Sequence, residues 1–324
     1  MLQKCQRDQW SIDDLDWTIP APTLPAAKEA AVVQYFTNMA AIELLAAALF
    51  ETQRDRTDDP TLRQIFASFV GDERRHAAVA VRLAKHYDVR RLRAYRTDDN
   101  LLRFRPHFLA ALQQLPPEIA NAYVTAGEIL LDVALLRSLD DYVDDEMSHR
   151  AMYLINRDEA RHIAIDFHMT EVYSSDAFLA ERARRRPPPW RRRARGAWTM
   201  ANMIWRAGPF LRTVFLRPMD TTDPSGRRLR EAFKRLQLLS ARPAVARLPL
   251  SRFLLAMQTA YNHPVVGRVA GPLLLRLMSA EDRIARVLYS DEELARAQRM
   301  SFDEIAEDLL TARPWSPGGR DDPG

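Results

Sequence analysis

Cysteine is almost missing from this chain of 324 residues, which contains only Cys5. A single thiol excludes an internal disulfide, a zinc site built from several thiolates and a cysteine-ligated iron–sulfur cluster. The scarcity of cysteine also fits a reducing compartment. Residues 1–25 lack the apolar core of a secretory signal, and no uninterrupted apolar run approaches the length of a membrane span. We therefore expect a cytoplasmic protein.

Glycine and lysine are scarce as well. The chain has 10 glycines, and just four of its 47 basic residues are lysines. Little glycine together with abundant alanine, leucine and arginine favours helix over strand, so we predict an all-α protein. Two explanations of the arginine preference stay open. One is the codon usage of a GC-rich genome, and the other is a demand for bidentate anion binding.

Long apolar stretches separated by helix-breaking residues predict four long helices after an irregular arm at residues 1–25. Asp59 and Pro60, for example, provide an N-cap and a first-turn proline for the second helix. A longer connection at 88–115, holding one short helix, separates the two halves. The four helices are expected at about 26–54, 60–86, 117–145 and 148–174. Residues 26–175 should therefore form two helical hairpins joined by a long crossover.

The chain continues well beyond these four helices. An arginine- and proline-rich linker is expected at 176–196, followed by a helical extension at 197–312 and a frayed tail at 313–324. Apolar and basic residues in the extension predict helices near 197–216, 227–239, 251–261 and 282–311.

Two passages share the pattern Asp-Glu-x-Arg-His, namely GDERRHAAVAV at 71–81 and RDEARHIAIDF at 157–167. In a helix, this spacing places the Glu and the His of each motif on one face, about a turn apart. A lone glutamate in an otherwise apolar helix precedes each motif, 30 residues before the first glutamate and 31 before the second. The two halves of the four-helix region therefore repeat one plan.

The repeated positions offer four carboxylates and two imidazoles, which are the oxygen and nitrogen ligands that suit iron. Buried without a cation, four converging carboxylates would be very costly to desolvate. The alternative is a network of solvated ion pairs, but the apolar neighbours of Glu43 leave that side chain no solvated face. We predict two bound metal ions, both iron or one of them manganese. The predicted ligands are Glu43, Glu73, His76, Glu128, Glu159 and His162.

This ligand pattern resembles the ferritin-like carboxylate-bridged di-iron proteins over roughly residues 26–175. In that superfamily two helices each supply one Glu and two others each supply a Glu-x-x-His. The resemblance implies a ferritin-like four-helix bundle, here with a C-terminal helical extension. It also implies that Glu73 and Glu159 bridge the two metals.

Three aspartates near the motifs are candidates for support of the metal ligands. The resemblance implies that Asp72 and Asp158 each orient the histidine of the opposite motif. Simple pairing with Arg75 or Arg161 is the alternative. Asp166 lies seven residues after Glu159 and close to it on the helical wheel, so it is a third candidate.

The oxygen-activating members of the superfamily provide the functional expectation. They include aldehyde-deformylating oxygenases, acyl carrier protein desaturases and arylamine N-oxygenases, and this chain fits none of them fully. The arylamine N-oxygenases carry an extra histidine where this chain has Ile155. We expect a di-iron oxygenase or oxidase that uses dioxygen and external electrons, for example from a ferredoxin, to oxidise a mostly apolar substrate. A ferroxidase or iron-handling protein without an organic substrate is the alternative.

The basic stretch from Arg182 to Arg195 contains eight arginines and no acid. Among functional interpretations we favour docking of an acidic protein, either a ferredoxin or an acyl carrier protein. An anionic membrane surface is an alternative, with Trp190, Trp198 and Trp205 in the interface. Nucleic acid is disfavoured because no base-reading motif accompanies the arginines. A solvated linker and a homodimer also stay open.

Overall fold

The computed structural model describes residues 1–91, 95–184, 186, 189–278 and 281–305. Within these ranges the regular structure is helical and no strand occurs, which confirms the all-α class. The tail predicted at 313–324 lies outside the described residues. The α-helices are α1 (Leu2–Arg7), α2 (Ala26–Arg56), α3 (Pro60–Tyr87), α4 (Asp99–Leu112), α5 (Pro117–Ile129), α6 (Arg137–Val143), α7 (Glu146–Ser174), α8 (Asp176–Arg184), α9 (Trp190–Phe210), α10 (Arg217–Thr222), α11 (Arg227–Ser240), α12 (Pro249–Asn262), α13 (Val266–Met278), α14 (Asp282–Ala285) and α15 (Asp291–Arg299).

Four of these helices pack together as two antiparallel pairs. Helix α2 lies along α3 and α5 lies along α7, while contacts of α2 with α5 and of α3 with α7 join the pairs. The bounds predicted for α2, α3 and α7 are correct to within two residues. The Asp59 side chain accepts hydrogen bonds from the backbone N–H groups of Thr61 and Leu62, so this N-cap fixes the start of α3 as expected.

The third long helix differs from the prediction because a π-helical turn at Leu130–Leu136 separates α5 from α6. A π turn widens the helix and leaves carbonyl groups without their usual partners. The Leu135 carbonyl oxygen instead accepts hydrogen bonds from the Tyr35 hydroxyl, at 2.8 Å, and from Ser138 Oγ, at 3.0 Å. This turn begins two residues after Glu128, directly at the end of α5.

The N-terminal arm is more ordered than the sequence indicated. It contains α1 and a 3-10 turn at Ile12–Asp14, and both contact α3. Cys5, Trp10 and Leu15 are buried in the main hydrophobic core. The apolar positions of the arm are too irregularly spaced to reveal a helix, but they supply side chains that cover one side of α3.

The C-terminal region also departs from the expected bounds. Much of the predicted linker is helical, since α8 begins at Asp176 and α9 begins at Trp190. The predicted helix near 251–261 corresponds to α12, and an additional helix, α13, packs against it. A Cβ atom at Gly267 would lie 2.1 Å from the Tyr261 carbonyl oxygen, so this tight turn requires glycine.

Two stretches, Ala26–Arg56 and Pro117–Val143, are long and apolar enough by length and composition to cross a membrane. In their most apolar windows, however, 61% and 65% of the residues are buried inside the protein. Core helices of soluble proteins pass the same test, so this burial is consistent with a soluble protein. A cytoplasmic location stays a prediction.

Candidate metal centre

The six side chains predicted as ligands come together between the four packed helices. Glu43 projects from α2 and Glu128 from α5. Helix α3 supplies Glu73 and His76, and α7 supplies Glu159 and His162. Each of the six is at most 3% exposed. The lone glutamates and the two Glu-x-x-His motifs therefore share one interior, as their repeated spacing indicated.

The six residues form two overlapping groups. Within each group one possible ligand atom from every residue lies within 4.8 Å of the others. Both groups contain Glu73 and Glu159, whereas each lone glutamate and each histidine belongs to one group. The first group is Glu43, Glu73, His76 and Glu159, and the second is Glu73, Glu128, Glu159 and His162. This is the arrangement needed for two cations that share two bridging carboxylates.

Many oxygen atoms of these carboxylates have no hydrogen-bond partner. Both carboxylate oxygens of Glu43, Oε2 of Glu73 and Oε2 of Glu128 are buried without a hydrogen-bond partner. A buried carboxylate oxygen without a donor costs several kcal/mol unless a cation compensates it. The donor set of the cluster thus fits two divalent ions, because hard oxygen atoms and imidazole nitrogens are what such ions prefer.

The two histidines point the same ring nitrogen into the cluster. His76 Nδ1 lies 3.2 Å from Glu159 Oε1, and His162 Nδ1 lies 3.1 Å from Glu73 Oε1 and from Glu159 Oε2. Their Nε2 atoms face outward to an aspartate of the opposite motif. His76 Nε2 lies 3.0 Å from Asp158 Oδ2, and His162 Nε2 lies 3.5 Å from Asp72 Oδ2. The hydrogen bond to Asp158 favours the tautomer of His76 that leaves Nδ1 free to accept a cation, whereas His162 Nε2 has no hydrogen-bond partner and Asp72 is only a near neighbour.

The same two aspartates also pair with arginines. Arg161 Nη2 lies 2.7 Å from Asp158 Oδ1 and 3.1 Å from Asp72 Oδ2, and Arg75 Nη2 lies 2.9 Å from Asp158 Oδ2. The two interpretations offered by the sequence are therefore not exclusive, because each aspartate contacts a histidine and an arginine. Two aspartates and two arginines balance in charge, so this outer ring leaves the charge of the inner glutamates uncompensated.

Burial and mutual repulsion shift the pKa values of the inner carboxylates apart. Burial, together with the charges of Glu73 and Glu159, raises the pKa of Glu43 well above its usual range. Burial and Glu159 raise the pKa of Glu128 in the same way. Burial also disfavours the charged form of Glu159, but His162 outweighs it and lowers the pKa of that carboxyl.

The pKa values of the two histidines are also raised, which favours their charged form. Burial lowers the pKa of His76, but hydrogen bonds to Asp158 and Glu159 outweigh it and raise that pKa to about 9. Glu159 likewise outweighs burial and raises the pKa of His162 well above its usual range. Among these side chains alone, imidazole protons thus partly replace the positive charge that bound cations would supply.

Asp166 lies one turn beyond His162 on α7 and is fully buried. Neither of its carboxylate oxygens has a hydrogen-bond partner. Burial raises its pKa well above the usual range, and Glu159 and Glu73 raise it further. The role of Asp166 in supporting a ligand stays a prediction.

The side of the cluster next to His162 is apolar. The Phe69 ring lies 4.2 Å from the His162 ring between centroids, and the Phe50 ring lies 5.1 Å from it. Ile155 is fully buried in the core, as expected for an apolar residue where arylamine N-oxygenases carry a histidine. These side chains exclude water from the side of the cluster that they cover.

The sequence did not reveal the contribution of the N-terminal arm. Trp10 Nε1 donates a 2.6 Å hydrogen bond to Asp158 Oδ2, and Gln9 Nε2 donates one of 3.3 Å to Asp72 Oδ1. The Trp10 ring also stacks on the His76 ring at 6.3 Å. The one available signal was a tryptophan in a polar arm, since a large aromatic with one donor usually has a buried partner.

Two cavities of about 110 and 360 Å³ open elsewhere on the protein, and none of the six predicted ligands lines either of them. The larger cavity lies between α9 and the end of α4, and the smaller one lies beside α11 and α15.

No protein-family model matches the chain, and no curated protein matches it by sequence. The interpretation of the cluster thus depends on its own geometry.

The hydrogen bond from Trp10 provides a test of the outer ring. In Trp10→Phe the indole N–H is lost, so the ionised Asp158 loses one of its donors. We expect the free energy of unfolding of metal-free protein to fall by roughly 2 kcal/mol, as is typical for hydrogen bonds to charged groups. Chemical denaturation at neutral pH measures this change.

Trp17→Phe is the matched control. Trp17 lies in the same arm, but its Nε1 donates to a neutral backbone oxygen, that of Ile12, at 2.8 Å. The loss there should be about 1 kcal/mol. Equal losses in the two variants would mean that the bond to Asp158 contributes nothing beyond an ordinary arm contact.

Proposed function

We propose that the chain is a ferritin-like di-iron protein and that it acts as an oxygenase or oxidase on a mostly apolar organic substrate. The observation that carries this proposal is the pair of overlapping ligand groups that share Glu73 and Glu159. Bound there, two iron ions would supply the dioxygen-activating redox chemistry. Manganese in one of the two positions is compatible with the same donor set.

Charge balance supports two divalent ions rather than one. Four glutamates and two neutral imidazoles carry four negative charges, and two divalent cations neutralise them. One cation would leave two uncompensated carboxylates in an interior where the six side chains are at most 3% exposed. The balanced ring of Asp72, Asp158, Arg75 and Arg161 adds no net charge to this sum.

The side chains around the two metals would have separate roles. His76 and His162 would present Nδ1 to the metals while Asp158 holds the Nε2 proton of His76 and Asp72 lies near Nε2 of His162. Phe50 and Phe69 would exclude water on the His162 side. Electrons would come from a separate donor, for which a ferredoxin is the chemical class we propose.

Metal content tests the assignment of bridging and terminal ligands. Protein loaded with ferrous iron without oxygen should hold about two ions per chain. Replacing a bridging residue, as in Glu73→Ala or Glu159→Ala, should remove both ions. Replacing a terminal residue, as in Glu43→Ala or Glu128→Ala, should leave about one. Elemental analysis of folded protein gives these numbers.

Two other buried glutamates serve as matched controls on the same helices. Glu29 on α2 pairs with Arg90, and Glu118 on α5 pairs with Arg182. Neither belongs to the two ligand groups, so Glu29→Ala and Glu118→Ala should retain both ions while they remain folded. Wild-type protein that binds at most one ion would contradict the assignment.

Oxygen uptake separates an oxygenase from a ferroxidase. We expect iron-loaded protein to consume dioxygen productively only with a reductant and an apolar substrate. A fatty aldehyde, a carrier-bound acyl chain and an arylamine are the classes to supply, with an oxygen electrode and product analysis as readouts. Glu159→Ala should abolish the uptake. Uptake driven by ferrous iron alone, without organic product, would make the chain a ferroxidase instead.

A further inference from the structure

Helix α9 exposes three tryptophans along one side. Trp190, Trp198 and Trp205 are 73%, 72% and 77% exposed. At about 100° per residue these positions fall on a single stripe of the helix. The rest of this stripe is also apolar and consists of Ala194, Ala197, Ala201 and Ile204. We call these seven residues the tryptophan stripe.

Packing of the opposite side fixes the direction of the tryptophan stripe. Met203 and Phe210 are buried, and the Phe210 ring stacks on the Phe104 ring of α4 at 4.5 Å. The helix therefore has two apolar sides, one facing the protein and one facing outward. Three largely exposed indole rings on one folded helix form an apolar patch of the kind that marks an interaction site.

Arginines flank the tryptophan stripe. Arg191, Arg195 and Arg206 lie along one flank and Arg193 lies on the other, and all four are exposed. The Arg191 guanidinium carbon is 5.6 Å from the centroid of the Trp190 ring. From residue 182 to residue 219 the chain contains eleven arginines and no acid. An anionic surface is the complement of these flanks.

A second exposed apolar surface occurs on the α12–α13 hairpin. Val269 and Leu273 on α13 are 82% and 68% exposed, and Phe253 on α12 is exposed as well. This hairpin lies in a second acid-free stretch, residues 232–280, which contains seven basic residues. The combination of exposed apolar side chains with basic residues and no carboxylate thus occurs twice.

One part of each stretch contacts the end of the four-helix region where α5 begins and α7 ends. The Gln114 side chain, close to the start of α5, donates a 3.2 Å hydrogen bond to Thr199 Oγ1 of α9. Arg247, which precedes α12, donates to the Ser174 carbonyl oxygen at the end of α7 at 2.9 Å. Helix α9 and the start of α12 are therefore both anchored at this end.

Basic and acidic residues are unevenly distributed between these two stretches and the rest of the chain. Residues 182–219 and 232–280 together hold 18 of the 47 basic residues and none of the 43 acidic residues. The rest of the chain has 29 basic residues against the same 43 acids. The small net charge of +4 therefore conceals a strongly positive region beside an acidic remainder.

We propose that the tryptophan stripe and the α12–α13 hairpin bind the surface of an anionic lipid bilayer. The indole rings would lie at the boundary between headgroups and acyl chains, and the flanking arginines would contact lipid phosphates. Tryptophan and arginine both partition to this interface, so a bilayer matches the apolar stripe and its charged flanks at once. Binding by this surface does not depend on the metal centre.

Two other occupants fit the surface less well. An acidic soluble protein would match the arginines, but its charged surface would leave Val269 and Leu273 exposed to water. A second copy of the chain that used the same surface would bring two acid-free, basic regions together. The sequence alone favoured an acidic protein, and the outward direction of the three tryptophans now favours lipid.

Flotation with lipid vesicles tests this proposal on the full chain. We expect binding to vesicles containing about 30% phosphatidylglycerol and little binding to pure phosphatidylcholine. Tryptophan fluorescence should shift to the blue on binding. Raising the salt from about 0.1 M to about 0.5 M should weaken the interaction at least tenfold, because screening reduces the arginine–phosphate attraction.

Two variants and two matched controls complete the test. Trp198→Ala with Trp205→Ala should lose the fluorescence shift and most of the binding, and Arg191→Glu with Arg195→Glu should weaken binding at least about tenfold. The controls make the same kinds of change on the bundle, namely Leu44→Ala with Tyr153→Ala, and Arg63→Glu with Arg150→Glu. They should bind like wild type.

Three outcomes would overturn the proposal. One is no binding to the anionic vesicles, and another is equal binding by the variants and their controls. The third is dimerisation of the vesicle-free chain that the double tryptophan variant abolishes, because the stripe would then be an interface between copies. Unfolding curves of all variants show whether a loss of binding reflects loss of the fold. None of these outcomes alters the expected metal content.

Discussion

Four glutamate side chains converge in the interior of this protein, and several of their oxygen atoms have no hydrogen-bond partner. Burying four carboxylates together carries a large desolvation cost. The repeated helix pairs, the inward Nδ1 atoms of the histidines and the burial of all six side chains become consistent once two divalent cations occupy the cluster. Without cations, the raised pKa values of Glu43 and Glu128 mean that protons would have to neutralise the same carboxylates.

The layer around the glutamates has a different electrostatic character. Asp72 and Asp158 contact arginines and histidines together, so they stay ionised and their pKa values are low. Trp10 links the N-terminal arm to this layer through Asp158. The arm thus completes the hydrogen bonding of the group that orients His76, and order in the arm and order in the cluster should depend on each other.

Most of the cluster could be predicted from the sequence because its geometry is set by helix periodicity. The spacing of Glu73 and His76 within one turn, and its repeat at Glu159 and His162, determine which side chains share a face. The π turn after Glu128, the helical start of α9 and the role of Trp10 could not be predicted. The π turn and Trp10 depend on tertiary packing, since their partners, the hydroxyl of Tyr35 and the carboxylate of Asp158, lie far away in the sequence.

Anomalous diffraction from crystals of iron-loaded protein, recorded at the iron absorption edge, tests the central claim most directly. We predict two peaks about 3.5–4 Å apart, both within bonding distance of Glu73 and Glu159. One peak should also lie beside Glu43 and His76, and the other beside Glu128 and His162. A single peak, or iron bound only at surface carboxylates, would contradict the assignment of this cluster as a two-metal centre.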